Sequence, residues 1–498
     1  MLFNSISFII FFPIVVLFYF VIPHRFRWMW LLLTSYYFYM SWNPRYALLL
    51  AVSTVITYAS GLLIDKSNRI KDESKRTRLR KLCVGCSFIL NLAILFVFKY
   101  FYFAVDSINW FLSNIGVSLI EPTFDVLLPV AISFYTFQAL SYTMDLYRGE
   151  IDVERNLGKY ALFVAFFPAL LAGPIERSKN LLIQMHEKHE FDYDNIKNGL
   201  LLMLWGYFLK MVIADRIAVA VNRVYGNYDN YFGFQLVIAT VLFAVQIYCD
   251  FAGYSYIAKG AAQTMGFRLI DNFKQPYFST SIREFWGRWH ISLSTWFRDY
   301  LYIPLGGSRC SRLKKYRNTM ITFLVSGLWH GASWNFVVWG FIHGSYQIIG
   351  DITKSLRTGL YNKMKIDTKS ILFKVGQASV TFALVCFAWI FFRAPTFFDA
   401  IQIVERIFIN FGFANILNRF SYGMQYFGLS HRDALAAGVS ILVLFILDLW
   451  QRRMDIRETL AKRNIVIRWG VYYALVFVVI LLGAFGFGVS NEFLYFQF

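Results

Sequence analysis

Two histidines have surroundings that favour chemistry. His330 lies in Phe323-Leu-Val-Ser-Gly-Leu-Trp-His-Gly-Ala-Ser-Trp-Asn335, where it is the only ionisable side chain. An ionisable group in an apolar segment is expensive to place and marks a functional candidate. A neutral imidazole takes a proton from a hydroxyl near pH 7. Gly327 and Gly331 leave room for a backbone or a substrate to come close. The competing reading is a buried histidine that bonds a neighbouring helix. His290 lies in Ser281-Ile-Arg-Glu-Phe-Trp-Gly-Arg-Trp-His-Ile-Ser-Leu-Ser-Thr-Trp-Phe-Arg-Asp299. A continuous helix there would put Arg283, Trp286, His290, Ser294 and Phe297 on one face. Arg283, Arg288 and Arg298 would then offer guanidinium forks to phosphates. An amphipathic helix at a membrane interface, with tryptophans in the aromatic belt, explains the same composition.

Other chemistry is thinly represented. His343 shares the aromatic surroundings, whereas His24, His186, His189 and His431 lie in or beside polar loops. The spacing His189-x4-Asp194 falls in a polar loop with no apolar pocket. No phosphate-binding or dinucleotide glycine motif is present. Gly253-Tyr-Ser-Tyr-Ile257 lacks the closing glycine of a nucleophile elbow. Cys83-x-x-Cys86 has no second pair to complete a zinc site, so no metal is expected.

The elements that must hold these residues are membrane helices. Of 498 residues, 57% are hydrophobic and 16% charged, and mean hydropathy is +0.48. Soluble domains average about 25% charged residues, so the composition excludes a soluble globule, a disordered chain and a disulfide scaffold. Apolar runs such as Ser5–Ile22, Tyr46–Ile64, Val84–Val105, Val126–Met144, Met320–Phe336, Val337–Ile349 and Trp469–Val489 give about ten to twelve crossings, some of them re-entrant. An all-α polytopic protein is expected. The net charge of +19 is the kind that also binds nucleic acid, but here the charges sit between apolar runs. Asp65–Lys81 and Ser308–Arg317 each carry +5 and Gln451–Arg468 carries +4, while Asp106–Asp125 and Gly226–Gly233 contain no Lys or Arg. The positive-inside rule makes the basic loops cytoplasmic and the N-terminus extracytoplasmic. Ser5–Ile22 lacks a basic n-region and a cleavage site, so it reads as a retained span. His330, twelve residues past Asn318, would lie about 18 Å deep. One integral-membrane domain is expected over 1–498, with N-terminal spans in 1–150, a core with both histidines in 151–350, and C-terminal spans in 351–498.

Long segments carry a family resemblance. "SIREFWGRWHISLSTWFRDYLYIPLGG" and "FLVSGLWHGASWNFVVWGFIHG" resemble the membrane-bound O-acyltransferase family, and more narrowly its bacterial alginate O-acetylation branch, which includes peptidoglycan O-acetyltransferases. "MLFNSISFIIFFPIV", "LPVAISFYTFQALSYTMDLYRGE", "FFPALLAGPIER", "QIYCDFAGYSYIAKGAAQTMGF" and "NEFLYFQF" extend the likeness over most of the chain. The resemblance implies transfer of an acetyl group from cytoplasmic acetyl-CoA, through a tunnel in the bacterial inner membrane, to an extracytoplasmic polysaccharide. It also implies a separate serine esterase-like (SGNH-type) partner, and no permanently bound cofactor. The family's critical histidine falls on His330 and its second on His290. His330 would take the proton of the attacking hydroxyl. His290 would orient the donor or stabilise developing charge. Arg288, Arg298 and the basic loop would hold the phosphates of the donor. Trp289, Trp329, Asn335 and Asp250 complete the expected substrate-binding set. One departure is Tyr256, where the family often has a second aspartate after the one matched by Asp250. D-alanyl transfer to a cell-wall polymer, a polytopic transporter of a lipid or anion, and a structural scaffold remain the alternatives.

Overall fold

The computed structural model describes residues 1–121, 129–171, 173–409, 427–484 and 493–494. Among them there are helices and loops and no strand. This follows from a dry solvent, in which a helix satisfies every backbone polar group within its own segment. In chain order the helices are α1 (Ile6–Val21), α2 (His24–Met40), α3 (Pro44–Ser67), α4 (Glu73–Leu95), α5 (Phe101–Asn114), α6 (Ile132–Arg148), α7 (Leu157–Ala165), α8 (Phe167–Leu170), α9 (Tyr193–Tyr207), α10 (Asp215–Gly226) and α11 (Phe234–Thr264). There follow α12 (Ile282–Trp286), α13 (Ile291–Phe297), α14 (Arg312–His330), α15 (Trp334–Ile352), α16 (Lys354–Lys363), α17 (Ile371–Arg393), α18 (Phe397–Phe408), α19 (His431–Gln451), α20 (Ile456–Ala461) and α21 (Ile465–Leu482).

Among the described residues six stretches are long and apolar enough to cross a membrane: α3, Glu73–Asn114 (α4 with α5), α11, α17, α19 and α21. The remaining apolar runs form shorter or more polar helices, such as the 16-residue α1. Residues 126–128 of Val126–Met144, residues 485–489 of Trp469–Val489, Ala172 of "FFPALLAGPIER", and all of the terminal motif except Phe493 and Leu494 lie outside the described residues.

The chain forms two compact units, residues 1–202 with 258–270, and 203–257 with 271–498. In the first, helices are joined by buried polar bonds. Ser53 donates to Asn91 Oδ1 at 2.6 Å, and the Tyr160 hydroxyl donates to Thr57 Oγ1 at 2.7 Å. Such bonds bind helices together where apolar burial gives no preference for protein over lipid. Asp72 starts α4 by accepting from the backbone N–H groups of Ser74 and Lys75 at 2.9 and 3.1 Å, a firm cap that puts Lys75, Arg76, Arg78, Arg80 and Lys81 of the basic segment on the first turns of the helix.

Both candidate histidines belong to the second unit. The boundary expected at 336/337 falls instead at 331–333, because the Ser333 hydroxyl oxygen caps α15 by accepting from the Asn335 N–H at 3.4 Å. His330 is therefore the last residue of α14. Helices α14 and α15 meet backbone to backbone. A Cβ at Gly327 would overlap the Phe336 carbonyl oxygen, and one at Gly340 would overlap that of Phe323. The continuous helix expected across 281–299 is corrected. It is two short helices, α12 and α13, separated by a turn with His290 in the left-handed region at φ 42° and ψ 54°. Arg283, Trp286, His290, Ser294 and Phe297 thus do not form one helical stripe.

A test of this close packing compares Gly327→Ala with Gly350→Ala, since a Cβ at Gly350 meets nothing within 4 Å. Gly327→Ala is expected to cost about 1–3 kcal/mol through overpacking. Gly350→Ala is expected to gain about 0.5–1 kcal/mol of helix propensity. Thermal unfolding in detergent reads both, and equal melting temperatures would contradict the packing described.

Candidate active site

The turn that carries His290 is built from an extended segment 18 residues upstream. The backbone N–H of Ile291 donates to the Asn272 carbonyl at 3.0 Å, and that of Lys274 donates to the Arg288 carbonyl at 3.0 Å. This bracket holds a non-glycine residue in the left-handed region, which costs on the order of 1–3 kcal/mol. The Asn272 side chain then fixes the imidazole. Its Oδ1 accepts from the Ser292 hydroxyl at 2.9 Å and the Ser292 backbone N–H at 3.3 Å, and it lies 3.1 Å from His290 Nδ1. Its Nδ2 donates to Ser255 Oγ at 3.2 Å. The atom facing the ring is therefore an oxygen, so His290 Nδ1 carries the hydrogen and, in the neutral ring, Nε2 presents a lone pair.

His330 stands opposite in an aromatic box. The centroids of the His290 and His330 rings are 6.4 Å apart. Trp339 meets His330 edge-on at 4.9 Å and 84°, Phe392 at 5.4 Å, and Trp329 at 5.1 Å. Trp329 also meets His290 at 5.8 Å, and Phe251 meets it edge-on at 4.6 Å. Both histidines are buried. Edge-on rings restrict an imidazole to a narrow range of orientations. Behind Trp339, its indole stacks on Trp389 at 5.9 Å, and Trp389 meets Trp289 at 5.2 Å. Two buried imidazoles whose centroids are 6.4 Å apart can accept a proton and hold a polar reactant while water is excluded.

The other expected site residues are distributed differently. Trp329 is in the box. Asn335 is close in sequence, and its Nδ2 donates to the Ala394 carbonyl at 2.7 Å, tying α15 to the end of α17. Its Oδ1 meets no donor among the described residues. Trp289 is in the core, stacked on Phe285 at 5.5 Å. Arg288 is engaged with Glu284 at 2.8 Å and donates to the Lys274 carbonyl at 3.3 Å. Burial would raise the Glu284 carboxyl, but the bonds from Thr280 and Arg288 outweigh it and hold it below the usual range. Arg298 is mostly exposed and pairs with Asp299 at 2.8 Å. In the basic loop Lys315 pairs with Asp351 at 2.7 Å, while Arg309, Arg312 and Lys314 have no carboxylate partner among the described residues.

Asp250 belongs to a buried ion cluster. Lys210 Nζ lies 2.5 Å from Asp250 Oδ1 and 2.7 Å from Asp215 Oδ1. The other Asp250 oxygen accepts from the Leu494 backbone N–H at 2.8 Å. Sequence reasoning passed over Asn272, Lys210, Asp215, Trp339 and Phe392. Only the Lys210 cluster had a signal, as three charges within apolar runs.

The family model for the membrane-bound O-acyltransferases (MBOAT) matches residues 151–374. The chain is 38% identical to the probable alginate O-acetylase AlgI of Azotobacter vinelandii over 82% of its own length and 78% of the relative's. It is 32% identical to the peptidoglycan O-acetyltransferase of Helicobacter pylori, over 81% and 79% of the two chains. It is 26% identical to the teichoic acid D-alanyltransferase of Bacillus subtilis, over 56% and 71%.

The ion cluster makes a sharp prediction. Lys210→Met leaves two buried carboxylates unneutralised, a loss of about 3–5 kcal/mol. Adding Asp215→Asn and Asp250→Asn is expected to restore most of it. Folded yield and melting temperature in detergent measure both steps. A single variant as stable as the parent, or a triple variant less stable than the single one, would refute the cluster's role.

Proposed function

The chain belongs to the membrane-bound O-acyltransferase family and is a multi-pass membrane O-acyltransferase, and on that premise we propose that it draws an acetyl group from acetyl-CoA at the cytoplasmic face of a bacterial inner membrane and passes it outward to a hydroxyl on an extracytoplasmic cell-wall polysaccharide, by way of a secreted SGNH-type partner. Alginate-like polymer and peptidoglycan are the acceptors that the names of the relatives favour. The N-terminus lies outside in this reading, with the three basic loops at the donor's side.

The observation that carries the proposal is the pair of imidazoles 6.4 Å apart inside the aromatic box. His330 takes the proton of the attacking hydroxyl. Its oxygen bonds to the thioester carbonyl carbon as the carbon–sulfur bond breaks, and the proton passes from His330 to the departing thiolate sulfur. The sequence left two roles for His290, and its tautomer favours one. With the hydrogen of Nδ1 directed at Asn272, a neutral His290 offers Nε2 as an acceptor only. It therefore holds an N–H or O–H of the bound reactants and orients them, since a group that can only accept does not stabilise an oxyanion. Arg298, Arg309, Arg312 and Lys314 are the cations most open to the donor's phosphates. Arg288 serves that end only if it exchanges Glu284 for a phosphate. Asn335 Oδ1 and Trp329 line the path of the acyl group. D-alanyl transfer is the second reading, favoured by the Bacillus subtilis relative.

The test is acetyl-CoA consumption by the purified full chain in nanodiscs. His330→Ala is expected to lower the rate about a hundred- to ten-thousand-fold with the fold retained. Wild-type turnover in that variant would remove His330 from the chemistry. Transport of an anion with no thioester cleavage by the parent would replace the proposal with a transporter.

A further inference from the structure

A second site of unassigned chemistry lies in the first unit, at the turn between α1 and α2. It is a pocket of about 290 Å³. Its lining includes Arg25, Arg27, Lys159, His24 and His189, against a single acid, Glu187. Arg27 and Lys159 are held by hydrogen bonds but not neutralised by a carboxylate. The Arg27 guanidinium donates to the backbone carbonyls of Ile22 at 2.9 Å, His189 at 2.5 Å and Phe20 at 3.2 Å, and lies 5.1 Å from the centre of the Tyr19 ring. Lys159 Nζ lies 2.9 Å from His186 Nδ1, and Glu154 is one imidazole further on, 2.5 Å from His186 Nε2. Among the described residues no carboxylate forms an ion pair with Arg25, Arg27 or Lys159. A concave site with fixed, uncompensated guanidinium and ammonium groups is matched to a phosphate.

The rest of the pocket says which kind of phosphate. Trp28, Leu31 and Phe267 give it an apolar floor, which an inorganic anion would not use. The adjoining surfaces of α1 and α2 expose Phe18, Val21, Phe26 and Met29, the character of a lipid-facing wall. The pocket also sits at the end of the helices that carries the +5 loop. Asn156 lines it, and the neighbouring Arg155 pairs at 3.1 Å with Asp65, in the last turn of α3 where the basic segment begins. We propose that this pocket binds the phosphodiester headgroup of an anionic phospholipid from the leaflet facing the basic loops. Such a leaflet attracts basic residues close to its surface.

Native mass spectrometry of the full chain, with phosphatidylglycerol and phosphatidylcholine as probes, tests this. Arg25→Gln with Lys159→Gln is the informative variant, because it leaves the three carbonyl bonds of Arg27 intact, and an unchanged melting temperature certifies its fold. The parent is expected to retain phosphatidylglycerol over phosphatidylcholine. The double variant is expected to retain it about ten- to thirty-fold less, at roughly fivefold per charge. Equal retention of the two lipids by the parent, or of phosphatidylglycerol by parent and variant, overturns the proposal. Displacement of the lipid by millimolar inorganic phosphate overturns the lipid source and leaves a soluble phosphate as the ligand.

Discussion

The side-chain oxygen of Asn272 is the contact on which the site depends. It accepts from both the backbone N–H and the hydroxyl of Ser292 and faces His290 Nδ1. One acceptor thus sets the shape of the turn, the orientation of the ring and the position of its hydrogen. Such an atom must be satisfied from within the protein, because an unmade hydrogen bond in a dry interior costs about 1–3 kcal/mol. That penalty makes the arrangement rigid. It also explains how His290 keeps a left-handed backbone that other surroundings would relax.

The opposite wall has a different origin. His330 ends α14, and the near contact of Gly327 and Gly340 with the facing backbones draws α15 close. Trp339 on α15 then meets the His330 ring edge-on. Polar bonding fixes one imidazole and ring packing confines the other. Together they suit an O-acyl transfer that must exclude water, because bulk water competes with the acceptor hydroxyl for the acyl group.

Much of this was legible in the sequence, and the exceptions have physical causes. The all-α membrane class followed from composition and run length, and the burial of His290 and His330 among aromatic rings from their apolar settings. The break at His290 was not legible, since a histidine with φ near +42° is held there by tertiary bonds and no local propensity announces it. Asn272 was invisible for the same reason: 18 residues separate it from the ring it holds. The pairing of Arg288 with its i−4 neighbour Glu284 at 2.8 Å was not anticipated, because its position was considered without that neighbour. The end of α14 was misplaced because Gly331-Ala-Ser333 is as apolar as the helices it separates, and the break rests on the Ser333 cap.

In the proposed reaction His290 and His330 act together on one transition state. A double-mutant cycle on kcat/KM for acetyl-CoA measures this most directly, using His290→Ala, His330→Ala and the pair in folded protein. Residues that work as a unit are strongly non-additive. The double variant is expected to be hardly slower than the worse single variant. Effects that add to within about 0.5 kcal/mol would show two independent contributions and contradict a shared site.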